Sequence, residues 1–170
     1  MWNKEDTLAI QMMLCVIETS PQIDKFNIWL LVGAGATASL LVSNVESITQ
    51  ATIFHAVSWM LSLLAISALF GFLAKLNGMK AESSRTVLPS IFSVLEQHPD
   101  TDLHAALKNY QSAFTFWARR ALHKSAQKGS TDNLYAFKLA LNFVIYQGSY
   151  TMFQGLFFIG FIVLAAFSLK

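Results

Sequence analysis

Charge is what this chain has least of. Only 13% of its 170 residues are Asp, Glu, Lys or Arg, about half the roughly 25% of an ordinary soluble domain. The few charges are also bunched. None falls in Phe26–Val45, in Ser47–Ala74 or in Leu139–Leu169, and each interval is long enough to cross about 30 Å of hydrocarbon at about 1.5 Å per helical residue. A soluble fold carrying three such runs would lack the polar surface to dissolve. The chain also lacks a strong charge of either sign: the formal net charge of +2 gives no electrostatic reason to bind nucleic acid. It has one cysteine, Cys15, so no internal disulfide can form and the cysteine-dense secreted class is excluded. The apolar run Leu8–Ile17 follows Glu5 and Asp6 instead of a basic start, which argues against a cleavable export signal. No phosphate-binding loop, HExxH helix or nucleophile motif occurs, so no enzyme and no cofactor is expected.

What remains predicts an all-α integral membrane protein with three transmembrane helices. Residues 1–25 form an N-terminal amphipathic, interfacial helix that Pro21 stops. Residues 26–74 form a transmembrane helical hairpin turned by "NVESITQ", with Asn44 as the helix stop. Residues 75–133 form a helical cytoplasmic segment between spans two and three, starting with "LNGMKAESSR" as a linker and a short helix from Pro89. Residues 134–170 form a long C-terminal helix containing the last span, bent near Gly148, with a re-entrant hairpin as the alternative. Lys75, Lys80 and Arg85 follow span two and Lys124, Lys128 and Lys138 precede span three, whereas the hairpin turn has no Lys or Arg. The positive-inside rule therefore places the N-terminus and residues 75–133 in the cytoplasm and the C-terminus outside, with a bacterial inner membrane as the expected location.

Gly33, Gly35 and Ala38 match the G-x-G-x-x-A spacing of a dinucleotide cradle. That cradle needs a strand before it and an acid about 20 residues later in a soluble βαβ unit, and here another apolar run follows. The same stretch pairs Gly33 with Thr37 and Gly35 with Ser39 at i, i+4, which suits close helix packing or an oligomer face. His55 is the one ionisable group inside a span, either an interfacial residue or a proton or ligand group. Asn142, Tyr146, Tyr150 and Gln154 recur every four residues, and Gln147 and Gln154 are seven apart. This polar stripe is expected to face protein, by interhelical hydrogen bonds or along a water-lined path.

Two patterns fall in the middle segment. "HPDTDLH" alternates His98, Asp100, Asp102 and His104, but a proline followed by acids marks a helix start better than a metal site, and no metal is expected. Leu103, Leu107, Tyr110, Phe114, Trp117 and Ala121 form an amphipathic stripe ending near Arg119, Arg120 and Lys124. Such a helix suits a membrane surface or a partner protein. The sequence therefore predicts a non-enzymatic membrane protein that self-associates or binds a membrane or cytoplasmic protein partner. The alternative is an oligomer that permeabilises the membrane or conducts ions, as an effector of a bacterial defence or toxin system would.

Overall fold

The computed structural model describes residues 4–51, 54–97 and 134–168. Every regular element among them is an α-helix: α1 Lys4–Ile17, α2 Ser20–Ser43, α3 Val45–Ala51, α4 Phe54–Gln97 and α5 Tyr135–Ser168. Three helices are long and apolar enough to cross a membrane: Lys4–Ser43, which takes in α1 and α2, Ala56–Ile91 and Tyr135–Ser168. Among the described residues the protein is all-α, with three helices of membrane-spanning length and hydropathy.

Local chemistry explains the helix ends around Pro21 and Asn44. A turn at Glu18 and Thr19 separates α1 from α2, and Pro21 occupies the first turn of α2, where its missing N–H leaves no bond unmade. Pro21 therefore starts α2 as well as stopping α1, and α2 begins at Ser20, not near Phe26. At its far end the Asn44 N–H donates to the Leu40 carbonyl at 3.1 Å, and Asn44 Nδ2 donates to the same oxygen at 2.9 Å. Asn44 is the expected stop. The residues after it are not an irregular turn but the short helix α3, with Glu46 in its first turn.

Helix α4 departs furthest from expectation. It runs unbroken for 44 residues to Gln97, through the stretch read as a linker and with Pro89 inside it rather than at a start. Ala74, Gly78 and Ala81 supply the reason. All three are buried, so residues with turn-forming or small side chains continue a packed seam, and packing overrides local preference. Helix α5 is likewise a single unbroken helix of 34 residues through Gly148, which rules out the re-entrant hairpin.

The chain divides into two compact units, and α4 and α5 contribute to both. One comprises Met1–Glu18 and Ser83–Asn142; among its described residues Ile10, Ile17, Leu88, Phe137 and Ala140 are buried. The other, Thr19–Glu82 with Phe143–Lys170, is a three-helix bundle. Its buried positions recur every seven residues: Ser20, Asn27, Ala34 and Leu41 on α2, Met60, Ser67, Ala74 and Ala81 on α4, and Gln147, Gln154, Phe161 and Ser168 on α5. A seven-residue step drifts only about 20° around a helix, so such a seam stays facing its partners with a gentle left-handed supercoil.

The seam has two halves of different chemistry. At the Leu41 end, Ala34, Leu41, Ala56, Met60, Leu64 and Phe161 form an apolar cluster flanked by Ala38, Phe158 and Leu164. At the Ser20 end the interior is polar. The outside is the reverse of a soluble bundle: Trp29, Val32, Leu40, Trp59, Leu69, Phe72, Met152, Ile159 and Phe167 are exposed, as side chains in contact with lipid tails should be. Phe70 on α4 ties that helix to α5 through Tyr150, Phe153 and Phe157, with centroids 6.1, 5.4 and 5.5 Å away.

Candidate functional site

Three helices bring one polar or small residue each into two stacked layers. Helix α4 runs antiparallel to α2 and α5, so Ser20, Gly78 and Gln147 meet in the first layer and Asn27, Gly71 and Gln154 in the second. Within each helix the two members are seven residues apart. In the first layer Ser20 Oγ donates to Gln147 Oε1 at 2.7 Å, and Gln147 Nε2 donates back to the Ser20 carbonyl at 3.3 Å. In the second, Asn27 Nδ2 donates to the Gly71 carbonyl at 3.1 Å, while Ser67 Oγ donates to the Gln154 carbonyl at 2.9 Å. Between the layers Lys75 Nζ meets Asp24 Oδ2 at 2.6 Å, with the two side chains 39% and 25% exposed.

The glycines make room for the glutamines. A β-carbon at Gly78 would lie 2.5 Å from Gln147 Nε2, and one at Gly71 would lie 2.6 Å from both Gln154 Nε2 and Leu31 Cδ2. Small residues at a membrane-helix interface normally let backbones approach; here they let an amide fit between helices. Other polar residues satisfy themselves on their own helix. Thr37 Oγ1 donates to the Gly33 carbonyl at 2.8 Å and Thr151 Oγ1 to the Gln147 carbonyl at 2.9 Å.

The second layer, and Asp24 between the layers, are not fully paired. Asn27 Oδ1, both amide atoms of Gln154, and Asp24 Oδ1 are buried without a hydrogen-bond partner, although Asn27 and Gln154 are 0% exposed. Leaving such atoms unpaired costs about 1–3 kcal/mol each. The layers therefore differ energetically, and a shape-preserving replacement exposes the difference. Gln147→Met is expected to cost about 1 kcal/mol of bundle stability by breaking two interhelical bonds. Gln154→Met, which removes two unpaired atoms, is expected to be neutral or stabilising. Thermal unfolding of both variants in the same lipid nanodiscs gives the comparison.

The structure sorts the residues singled out in the sequence. In α2 it splits the small pairs: Gly33 sits at the edge of the apolar cluster, with Phe158 Cζ 3.8 Å from a β-carbon placed there, whereas Gly35 has nothing within 4 Å, and the neighbouring Ala34 and Ala38 are the small residues that meet the cluster. Ser39 is exposed beside Gly35's face. Of the four-residue polar stripe, only Gln154 is buried. Asn142 and Tyr146 are exposed and Tyr150 half-buried against Phe70. A four-residue step advances about 40° around a helix, so a stripe of that period leaves the interface, whereas Gln147, Thr151 and Gln154 stay in it. The side chain of His55 lies outside the described residues, as do Leu107, Tyr110, Phe114, Trp117, Arg119, Arg120, Lys124 and the His98–His104 cluster.

Ser20, Asp24, Asn27, Ser67, Gly71 and Gly78 were not singled out by sequence reasoning, and Lys75 was named there only as a charge flanking the second span. The seven-residue spacing of Gln147 and Gln154 was the available signal, and the same interval separates Ser20 from Asn27 and Gly71 from Gly78. The fold and interior define a small polytopic helical membrane protein. Compared with known proteins, the chain matches no family model, no curated protein and no solved structure.

Proposed function

We infer that this is a non-enzymatic protein of a bacterial inner membrane that works by self-association, or by pairing with another membrane protein, through the outward face of α2. One observation carries the reading: Gly35 sits in a membrane helix with open space where a side chain would be. Ile28, Val32, Gly35, Ser39 and Val42 are all exposed, and their 4-3-4-3 spacing repeats the periodicity of the bundle's own seam. A second helix laid along that face would approach closely at Gly35 and Ser39. The surplus of Lys and Arg flanking residues 75–133 supports a cytoplasmic N-terminus and middle segment and an outside C-terminus, with the bilayer itself as the constant partner.

Single cysteines at Gly35 and Ser39, in a Cys15→Ser background, test it in native membranes. Oxidation is expected to give a crosslinked homodimer or a defined heteromer at both positions and not at Leu63, which packs against the apolar cluster. Gly35→Leu is expected to reduce crosslinking through Ser39→Cys by about tenfold. Monomer alone at both positions overturns the reading.

The polar interior favours a second reading, an oligomer that conducts ions. Within one chain that interior is closed by Ala34, Leu64 and Phe161, so a continuous path would need several copies. Depolarisation of cells on expression, relieved by Gln154→Leu, would favour it over simple association.

A further inference from the structure

We propose that the groove between α4 and α5 binds an anionic phospholipid, with its phosphate on Lys80 and an acyl chain along a row of aromatic rings. The proposal rests on the chain spanning a bilayer and is independent of association through α2. The row belongs to α5. Phe143, Tyr146, Tyr150, Phe153 and Phe157 follow 3-4-3-4 spacing, which keeps five successive rings on one helix face. Phe70 of α4 lies against three of them, stacked on Phe157 with 8° between the planes and tilted on Phe153 and Tyr150. Tyr146 stacks on Tyr150 at 6.4 Å. That packing builds the floor of the groove and leaves its mouth open, because Tyr146 is 54% exposed and Phe153 48%.

Charge and depth select the occupant. At the end of the row Lys80 Nζ stands 5.4 Å from the centroid of the Phe143 ring, a cation–π contact. Lys80 is six residues beyond Ala74, the end of a charge-free run, and so about 9 Å further along the helix. Its stem leaves α4 toward the helix N-terminus, as Cα–Cβ bonds do, and at this end that direction leads back to the bilayer. The ammonium thereby returns to the headgroup layer, which is about 5–7 Å deep on each side of the hydrocarbon.

A cation at headgroup depth therefore stands at the mouth of an apolar track that runs inward from it. An amphiphile with an anionic head and a hydrocarbon chain matches both ends. A second membrane helix laid in the groove would bring no anion to that depth, whereas every phospholipid brings a phosphate. The ring fixes where the Lys80 charge stands, and an ammonium has three N–H donors with which to hold phosphate oxygens. One turn further in, Tyr146 adds a hydroxyl at the interface, where tyrosines favour a wet tip and an apolar body. A zwitterionic lipid carries its own ammonium to the same place, in repulsion with Lys80, so an anionic lipid binds better.

Native mass spectrometry of the full chain, released from nanodiscs of equal parts phosphatidylglycerol and phosphatidylcholine, counts the lipids that stay bound. The wild type is expected to retain phosphatidylglycerol over phosphatidylcholine by about fivefold, and Lys80→Gln by less than about twofold. Lys80→Arg is expected to keep the preference, and so is Lys25→Gln, which removes an exposed lysine beside the first span. Phe153→Ala is expected to lower retention of both lipids alike, since it shortens the track and leaves the charge. No preference in the wild type, a preference that survives Lys80→Gln, or one that falls as far in Lys25→Gln overturns the proposal. A homodimer crosslinked through Tyr146→Cys with no lipid retained overturns it as well, by giving the groove to a second copy. Lys80 is exposed, so its replacement is expected to leave the unfolding midpoint unchanged. If it does not, the contrast between the wild type and Phe153→Ala decides, and equal retention by the two overturns the site.

Discussion

Gly71→Leu is expected to prevent the bundle from closing, while Gly35→Leu leaves it intact. The two glycines lie on membrane helices of similar composition, but a β-carbon at Gly71 would fall 2.6 Å from Gln154 Nε2, 2.6 Å from Leu31 Cδ2 and 2.8 Å from Gln154 Cδ, and one at Gly35 meets nothing within 4 Å. Relief at Gly71 requires two side chains on two different helices to move at once. The ends of Gln154 and Leu31 could swing aside for a lone β-carbon, but a whole leucine at 71 needs the space both fill, and any separation of α2 from α4 to make it weakens the bond from Asn27 to the Gly71 carbonyl. Overpacking alone costs about 1–3 kcal/mol, and with the lost bonds the expected total is about 3 kcal/mol or more. Gly35→Leu is expected to change stability by less than about 0.5 kcal/mol, as exposed substitutions do. Unfolding midpoints in nanodiscs measure both. Far-ultraviolet circular dichroism of Gly71→Leu should retain its helical signal, because helices in lipid form before they pack.

Asp24 and Lys75 carry the second large effect. Either neutral single variant, Asp24→Asn or Lys75→Met, leaves one charge inside the bundle without its counter-ion. A fully buried pair broken this way costs about 3–5 kcal/mol. Both side chains are partly exposed, which lowers the expected cost to about 1–3 kcal/mol. The neutral pair is expected to regain most of it, since no charge is left unpaired, and a double-mutant cycle by thermal unfolding in choline chloride isolates the coupling. The reversed pair, Asp24→Lys with Lys75→Asp, is expected to recover less. Asp24 Oδ1 lies 3.5 Å from a β-carbon position at Gly78, and the longer lysine has no such space.

The spans were legible in the sequence because their signal is the absence of charge, which needs no partner to interpret. Asn44 was legible for a similar reason: its capping bonds are made to its own helix. The extension of α4 was not, because "LNGMKAESSR" reads as a turn until Ala74, Gly78 and Ala81 are seen to be buried. Gly78 looks like a helix breaker in one dimension and is a socket for Gln147 in three. The polar interior was half legible. Gln154 could be picked out as a polar residue in a span, but the Ser67 hydroxyl that donates to its carbonyl and the Gly71 that leaves it room lie on another helix, more than 80 residues distant in sequence. Asp24 and Lys75 sit just beyond the charge-free intervals, where a charge is unremarkable until a 2.6 Å contact joins them. The choice between a four-residue and a seven-residue polar stripe depended on which face meets protein, and only packing decides that.

The fit of glutamine to glycine also limits how this sequence can drift. A side chain gained at position 71 meets the end of Gln154 and of Leu31, and one gained at 78 meets the end of Gln147. Each pair therefore changes at least cost with the long residue shortening first, because in the opposite order the glutamine has to be displaced from its place between the helices. Two sites about 70 or more residues apart thus inherit as one, and a descendant carrying alanine or larger at 71 is expected to carry a residue shorter than glutamine at 154.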